Sequence, residues 1–359
     1  MKKKLNILIS CVGGLFIYDV IESLRKSKNF NIKIYGIDID SFAYNKSLLD
    51  FFLKCPDVSK NEKKYKNFLF KLIQKFKIDF FLHYSDNETS FLIKNKSIIK
   101  EKFPSLKLVF DIDNENNKFF YNKNYFYDFC NKNKINSFNY KVLKNIKNFK
   151  YKNKKCILKR SSSSGSEGVF LIDNKIKKPI KIIESRNVYK SNFNYFKKYS
   201  GKFEYIMMPY FIGQGYDVDC LSLNGKILKM LIRKRMMYNK FMHYSPGHKI
   251  LNVSKIKNMI TKIIKVLKIT GLSTFDLIKT KNKFNVIDMA LRPSGSVSIG
   301  NFAGCDFIMD LIKMNYNKKI IKKTNWENKT VQPFLMFKKC NNKNRIEKYV
   351  PYFLDQKKI

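Results

Sequence analysis

Arginine is scarce: of the 72 basic residues in this 359-residue chain only seven are Arg, at 25, 160, 186, 233, 235, 292 and 345. Acids are few as well, 28 Asp+Glu leaving a formal net charge of +44. Such an excess ordinarily points to nucleic acid or an anionic membrane, because basic clusters release counterions from phosphate backbones. Here the lysines are spread over every segment among Asn, Ile, Phe and Tyr, so the charge reads as A/T-rich codon usage and no nucleic-acid partner is expected. The same scarcity makes each Arg informative, and Arg233, Arg235 and Arg292 fall beside other residues able to do chemistry. Long apolar runs are missing too, which excludes a bilayer-spanning helix. Met1–Lys4 followed by Leu5–Cys11 imitates a lipoprotein leader, but the six residues before Cys11 include Asn6 and are too short for a signal core, so a first β-strand is expected. The seven cysteines (11, 55, 130, 156, 220, 305, 340) show no CxxC spacing. That argues against a disulfide framework or a thiolate zinc site and fits a reducing, cytoplasmic setting.

What is present can fold. With 44% apolar and 15% aromatic residues the chain can bury sizeable cores, and its length implies two or three domains. From Leu5 to Ile112 short apolar runs alternate with helical periodicity: a strand over 5–10, a turn at Val12-Gly13-Gly14, a helix face of Leu15, Tyr18, Ile21 and Leu24, and strands over 32–37, 80–83 and 106–110. Strands alternating with helices predict a parallel sheet. Cys11-Val-Gly-Gly is a fragment of a dinucleotide fingerprint without its third glycine, and a structural turn explains it equally well. A helix is predicted over 118–133. After Lys155 the pattern becomes hairpins: strands 156–159 and 169–172 around Arg160–Gly168, strands 216–223 and 226–233 around Asn224-Gly225, and strands 272–279 and 284–289. Helices are predicted over 253–267 and 302–314.

Three sets of residues point to phosphate and metal chemistry. Backbone N–H groups hold phosphate only where side chains leave room, which the Ser/Gly loop 160–168 provides; it returns as a strand, unlike a P-loop. A mobile hairpin tip is the plain alternative, and Lys159, ending an apolar strand, favours phosphate. Asp276 and Asp288 form the second set. If their hairpin closes with a three-residue loop at 281–283, position i faces 564 minus i, and the two carboxylates oppose each other. Facing side chains lie about 5 Å apart, and like charges there call for a neutraliser such as Mg²⁺. A register offset by one would separate them, and the residues alone leave the two readings open. Third, Arg292 shares a strand face with Asp288 and Ala290, suited to phosphate oxygens or simply to offsetting the acids. Asp217 with Asp219, and Arg233 with Arg235, pair across a hairpin, where a solvated salt-bridged face is the expectation for Asp217. His83, His243 and His248 form no sequential metal pair.

In this order the elements resemble the ATP-grasp enzymes, closest to their carbamoyl-phosphate-synthase-like and biotin-carboxylase-like branch. The residues carrying the resemblance are Asn122-Lys123, Leu158-Lys159-Arg160 with the Ser/Gly flap, Thr274-Phe275-Asp276, and Ile287-Asp288-Met289-Ala290-Leu291-Arg292. It implies an α/β and α+β fold, an N-terminal Rossmann-like domain (1–112) before a two-subdomain ATP-grasp unit (113–195 with the flap, 196–325 with the metal site) and an extension at 326–359. It implies ATP and Mg²⁺ as cofactors, with Mn²⁺ able to substitute, and Asp276 and Asp288 as metal ligands. It assigns Lys123, Lys159, Ser161, Ser164, Gly165, Ser166 and Gly168 to the phosphates and Met207, Met208 and Tyr210 to the adenine. Arg292, Lys159 and Arg235 become the catalytic cations. The implied reaction is ADP-forming ligation: a carboxylate is phosphorylated and an amine or similar nucleophile displaces the phosphate. Small-molecule acids and amines are then the partners, with a homodimer compatible. This chain departs from the family in having Asp for Glu at both metal positions, Ala290 where Asn is usual, Gly215 for a ribose-binding Glu, and Met207-Met208-Pro209 at the hinge. Those departures motivate a second expectation, an ATP-binding regulatory protein on a catalytically degenerate scaffold.

Overall fold

The computed structural model describes residues 2–14, 17–136, 138–144, 146, 149, 151, 155–162, 167–183, 187–236, 247–281, 283–320, 328, 330–332 and 352–354. No helix among them is long and apolar enough to cross a membrane. The chain opens with β1 (Lys3–Ser10), α1 (Ile17–Arg25), β2 (Phe30–Asp38), β3 (Phe51–Lys54), α2 (Glu62–Phe76), β4 (Phe80–Leu82), α3 (Asp86–Lys94), α4 (Lys96–Lys102) and β5 (Lys107–Leu108). Its five strands form a parallel sheet in the order β3-β2-β1-β4-β5. Strand order reverses between β1 and β4, which opens a crevice beyond their carboxyl ends. Cys11–Gly14 and His83–Asp86 lie there. The glycine fragment is a turn: Gly13 N–H donates to the Asp38 carboxylate (2.8 Å), and Asn45 donates to the carbonyls of Val12 and Gly14.

The strand expected over 106–110 is two strands in different sheets. After β5 the chain bends, and β6 (Phe110–Asp111) pairs instead with Thr270 and Gly271 of a later sheet. Gly271 permits this approach, since at φ +97° a Cβ there would lie 2.1 Å from the Val109 carbonyl oxygen. The helix expected over 118–133 is likewise broken into α5 (Lys118–Tyr121) and α6 (Lys123–Lys132). Asn122 is extended (φ −142°), and its side chain accepts from Asn124 N–H, capping a new helix that starts at Lys123.

Next come β7 (Lys141–Leu143), β8 (Cys156–Arg160), β9 (Val169–Ile172), β10 (Ile180–Ile183), β11 (Val188–Ser191), α7 (Phe193–Tyr199) and β12 (Tyr205–Pro209). They build a six-stranded sheet, β10-β11-β9-β8-β12-β7, with its own apolar core around Leu158, Phe170, Phe193, Phe196 and Tyr205. One pair in it, β9 with β11, is parallel.

Between Pro209 and Gln214 the chain changes sheets. The elements β13 (Gln214–Leu223), β14 (Lys226–Arg235), β15 (His248–Leu251), α8 (Ser254–Val266), β16 (Thr270–Thr280), β17 (Lys283–Ala290), α9 (Ile299–Phe302), α10 (Phe307–Asn315), β18 (Thr330–Gln332) and β19 (Tyr352–Leu354) follow. The strands form an eight-stranded sheet, β17-β16-β13-β14-β15-β18-β19, with β6 on β16. Its cores are continuous with those of the first sheet: Ile7 and Ile9 share a cluster with Phe307 and Leu311. The first and third sheets are thus welded through shared apolar packing; the six-stranded sheet has a core of its own and joins the shared one through Ile206 and Met208 of β12. Of the extension at 326–359, Thr330–Gln332 form β18 and Tyr352–Leu354 form β19, and apart from Asn328 the rest falls outside the described residues.

Candidate active site

The hairpin β16–β17 positions the acids. It closes between Thr280 and Lys283, a tighter turn than the three-residue loop expected, with Lys281 left-handed at φ +42°. On that register alone the carboxylates would be offset. A β-bulge restores them: Leu277 faces Val286 but Asp276 faces Asp288, leaving Ile287 as the extra residue. The bulge also frees a carbonyl. Ile287 O accepts from the Tyr127 hydroxyl (2.7 Å) and from Lys159 Nζ (2.8 Å), so the strand irregularity that aligns the acids also docks the lysine beside them.

Asp217 of β13 is paired with Asp276, so three Asp stand in a row across three adjacent strands. The solvated face expected for Asp217 is instead buried, at 8% exposure. Arg235 Nε donates to both oxygens of Asp217 (3.1 and 3.0 Å), and its Nη2 also bonds Asp217 and lies 3.3 Å from Asp276 Oδ1. Behind this pair Arg233 is fully buried, donating to Asp219 (2.6 Å), Ser294 Oγ (3.1 Å) and Ser296 Oγ (2.8 Å), which ties β14 to the loop after β17. His248 is buried against the same group, its Nδ1 3.5 Å from Asp217 Oδ2.

Lys123, in the first turn of α6, reaches Asp288 Oδ1 at 2.5 Å. Burial pushes the Asp288 carboxyl up, but Lys123 and Lys159 more than offset this and hold it below the usual range. Asp276 goes the other way: burial raises it, Arg235 opposes, and the neighbouring Asp217 and Asp288 raise it further. Lys159 is pushed down to about 7, mainly by burial and also by Lys123, with Asp288 and Asp276 opposing. Its ammonium stands 4.9 Å over the Tyr127 ring.

The flap strands β8 and β9 rise beside this group. Ser161 N–H donates to the Glu204 carbonyl (3.0 Å), and Ser161 O accepts from Lys123 N–H (2.9 Å), joining the flap's base to the start of α6. Glu204 further accepts from Asn122 and Asn124 of that helix start (3.3 and 2.7 Å). Gly168 has φ +70°, and a Cβ there would meet the Arg160 side chain at 2.5 Å. Ser164, Gly165 and Ser166 lie outside the described residues, as do residues 237–246, His243 included. Met207 faces Leu158 and Met208 faces Ile157 across the β12–β8 pairing, and Tyr210 begins the passage between the two sheets.

Arg292 turns towards the first sheet. It donates to both oxygens of Asp86 (2.5 and 3.0 Å) and to Pro293 O (3.1 Å), so it bridges the end of the β16–β17 hairpin and the start of α3. Asp86 was not anticipated. A signal existed in Ser85-Asp-Asn-Glu88, whose capping box puts Asp86 in a helix's first turn. Tyr127, four residues after Lys123 on one helix face, and Glu204 were also missed.

The side chains of Asp276 and Asp288 are 47% and 44% exposed, so a ligand can reach them. Among the described residues no group of three acidic, His or Cys side chains completes a metal cage. Two hard carboxylates open to solvent fit Mg²⁺, which commonly takes one or two protein carboxylates and fills its octahedron with phosphates and water.

Residues 202–334 match the family model described as ATP-grasp in the biosynthetic pathway with Ter operon. No curated protein matches the chain. Among solved structures it is similar to an L-amino acid ligase from Bacillus licheniformis (12% identity, TM-score 0.64, covering 92% of this chain and 79% of that one). It is also similar to N5-carboxyaminoimidazole synthetase from Staphylococcus aureus complexed with ADP (12%, 0.66, 93% and 83%). A third is the biotin carboxylase domain dimer of Hydrogenobacter thermophilus 2-oxoglutarate carboxylase, in complex with MgADP, ADP and bicarbonate (13%, 0.59, 91% and 74%).

Proposed function

Proceeding from the ATP-grasp fold that this chain has, we propose that it is an ATP-dependent, ADP-forming ligase that activates a carboxylate as an acyl phosphate and passes the acyl group to an amine or similar nucleophile. The observation carrying this reading is the convergence of Lys123 and Lys159 on the facing pair Asp276 and Asp288. Two cations and two carboxylates at one opening suit a polyphosphate with its metal; an acyl-transfer site of the Ser/His/Asp kind would need none of them.

In this reading Lys123 and Lys159 hold phosphate oxygens, and Ser161, Ser164, Gly165, Ser166 and Gly168 of the Ser/Gly loop are assigned to the same phosphates. Met207, Met208 and Tyr210 line the adenine side where the sheets meet. Mg²⁺, when bound at Asp276 and Asp288, supplies positive charge to the β/γ-phosphate oxygens. Arg235 is the guanidinium nearest those acids and steadies charge on the group in transfer. Arg292, already bidentate to Asp86, adds a second permanent cation and fixes the first sheet's crevice, the entry for the acid substrate, against the site. The proposed division into a domain at 1–112, a flap subdomain at 113–195 and a metal-bearing subdomain at 196–325 places these groups where the three meet.

ADP and phosphate release, measured with Mg²⁺ against pooled acids and amines, tests the reading. Stimulation by one acid with one amine supports it, and Asp288→Asn should then abolish turnover while leaving the fold intact. Ala290 faces Thr274 and offers no further metal ligand, which favours a second reading, a nucleotide-binding regulator. Nucleotide binding without turnover over the whole pool would support that one.

A further inference from the structure

Past β5 the chain leaves the first sheet for the third, and a hollow opens in the seam between them. Its volume is about 480 Å³, within the roughly 300–1,000 Å³ that suits a small ligand. Two helix faces wall it. On one side Lys96, Ile99, Lys100 and Phe103, spaced i, i+3, i+4 and i+7, present a single face of α4 and its C-cap. On the other, Leu311, Met314 and Asn315 present one face of the end of α10. Leu108, Phe110 and Gly271 line it between the helices. The hollow lies where the parallel strands begin, since Lys107 of β5 stands beside Phe80, the first residue of β4. The crevice at the carboxyl ends is on the far side of that sheet, and Gly271 and Asp276 are about 17 Å apart along β16.

The hollow is apolar inside and charged at its rim. Ile99, Phe110 and Leu311 are buried. Lys96 pairs with Asp111 and donates to Ile112 O, so its charge is engaged. Lys100 lies 3.6 Å from the same Asp111 with its side chain 65% exposed, and Lys107 has no acidic partner among the described residues. One carboxylate against three ammoniums leaves the rim cationic. In a chain of net charge +44 lysine alone says nothing, but lysines around an apolar hollow define a ligand. A cation is repelled there, and a polyphosphate would leave the apolar walls unused. We infer that the hollow binds an amphipathic carboxylate, its apolar body between α4 and α10 and its carboxylate on Lys100 and Lys107. Burial of the body supplies most of the affinity, and the partly solvated rim selects the charged head. This site goes beyond the ligase reading and does not rest on it.

Decanoate titrated by calorimetry into the full-length protein tests the site, with decanol as the uncharged probe. One equivalent of decanoate should bind, and decanol more weakly. Lys100→Glu combined with Lys107→Glu should weaken decanoate by about tenfold or more, two rim pairs being lost and reversed, and leave decanol unchanged. Met314→Trp, at a partly exposed helix end, should fill the hollow and abolish binding of both probes, with the urea midpoint showing that the fold is kept. Absence of saturable decanoate binding, indifference to the rim pair, or indifference to Met314→Trp would overturn the inference. So would a dimer that Met314→Trp breaks in a protein that takes up no decanoate, which would give the hollow to a second copy of the chain. A fluorescent ATP analogue separates this site from the ligase reading. Displacement of decanoate by the analogue overturns the hollow as its site, whereas a protein that binds decanoate as described and no nucleotide keeps the hollow and removes the ATP site.

Discussion

Raising the pH from 7.5 to 9 should weaken metal-free nucleotide binding, because Lys159 enters the complex charged but leaves it, in the free protein, half neutral near neutral pH. Burial holds its free-state pKa at about 7. A bound phosphate restores the ammonium, so the apparent dissociation constant scales as one plus ten to the power of pH minus seven. Between pH 7.5 and 9 that factor grows about 24-fold, or about 1.9 kcal/mol at 1.36 kcal/mol per pKa unit. The sign is that of a cation whose pKa is lower without ligand than with it: affinity is full below pH 7 and falls as pH rises. Terminal phosphates are fully ionised over this window, since their second pKa is near 6, so the ligand contributes no slope. Fluorescent-analogue or calorimetric titration in EDTA reads the constant directly, and calorimetry in buffers of different ionisation enthalpy reads the proton taken up. Lys159→Arg, charged at every pH used, should lose the slope due to Lys159 and keep only the shallower one from Asp276, whose carboxyl is raised to about 7. A wild-type profile as shallow as that of Lys159→Arg would refute the argument, either because Lys159 does not meet phosphate or because its burial does not depress it.

Arg233→Met should cost about 3–5 kcal/mol in urea unfolding, since it leaves Asp219 buried and unpaired, and a second change, Asp219→Leu, should recover most of the loss; a single-variant cost below about 1 kcal/mol contradicts this. Asp86→Asn should weaken the bridge to Arg292 by about 1–2 kcal/mol, discounted because both side chains are partly exposed, and should raise hydrogen exchange at the start of α3; unchanged protection there argues against a bridging role. His83 and His248 are both pushed from 6.5 to about 3, by burial first and then by Arg292 and Arg233 respectively. Their folded pKa values lie below the unfolded ones, so stability is complete above pH 6.5 and falls as pH drops towards 3, by up to about 1.4 kcal/mol per pH unit for each ring. Urea midpoints that do not move between pH 7 and 5, in a protein where His83→Gln also changes nothing, would contradict that account.

Local chemistry alone determined much of this protein. Alternating strands and helices to Ile112 gave away a parallel sheet, Asn224-Gly225 a hairpin, and the run ending at Ala290 a strand bearing Asp288, because these signals depend on neighbours within a few residues; Arg292, expected on the same strand face, lies past the strand's end and turns to Asp86. The site's residue types were legible for the same reason: Lys159 ends an apolar strand, and the two Asp stand twelve apart across a turn. Tertiary structure decided which of them meet. Asp276 faces Asp288 through a bulge at Ile287 in place of the loop length that would have given the same register, and no local preference of Ile announces a bulge. The break at Asn122 brings Lys123 to Asp288 across 165 residues, and Asp86 meets Arg292 across 206. Asp217 is buried and not solvated because β13 is flanked by β14 and β16, a pairing invisible to periodicity within one strand. Contacts of that separation are set by how three sheets pack, and side-chain charge is settled only once burial and those partners are in place.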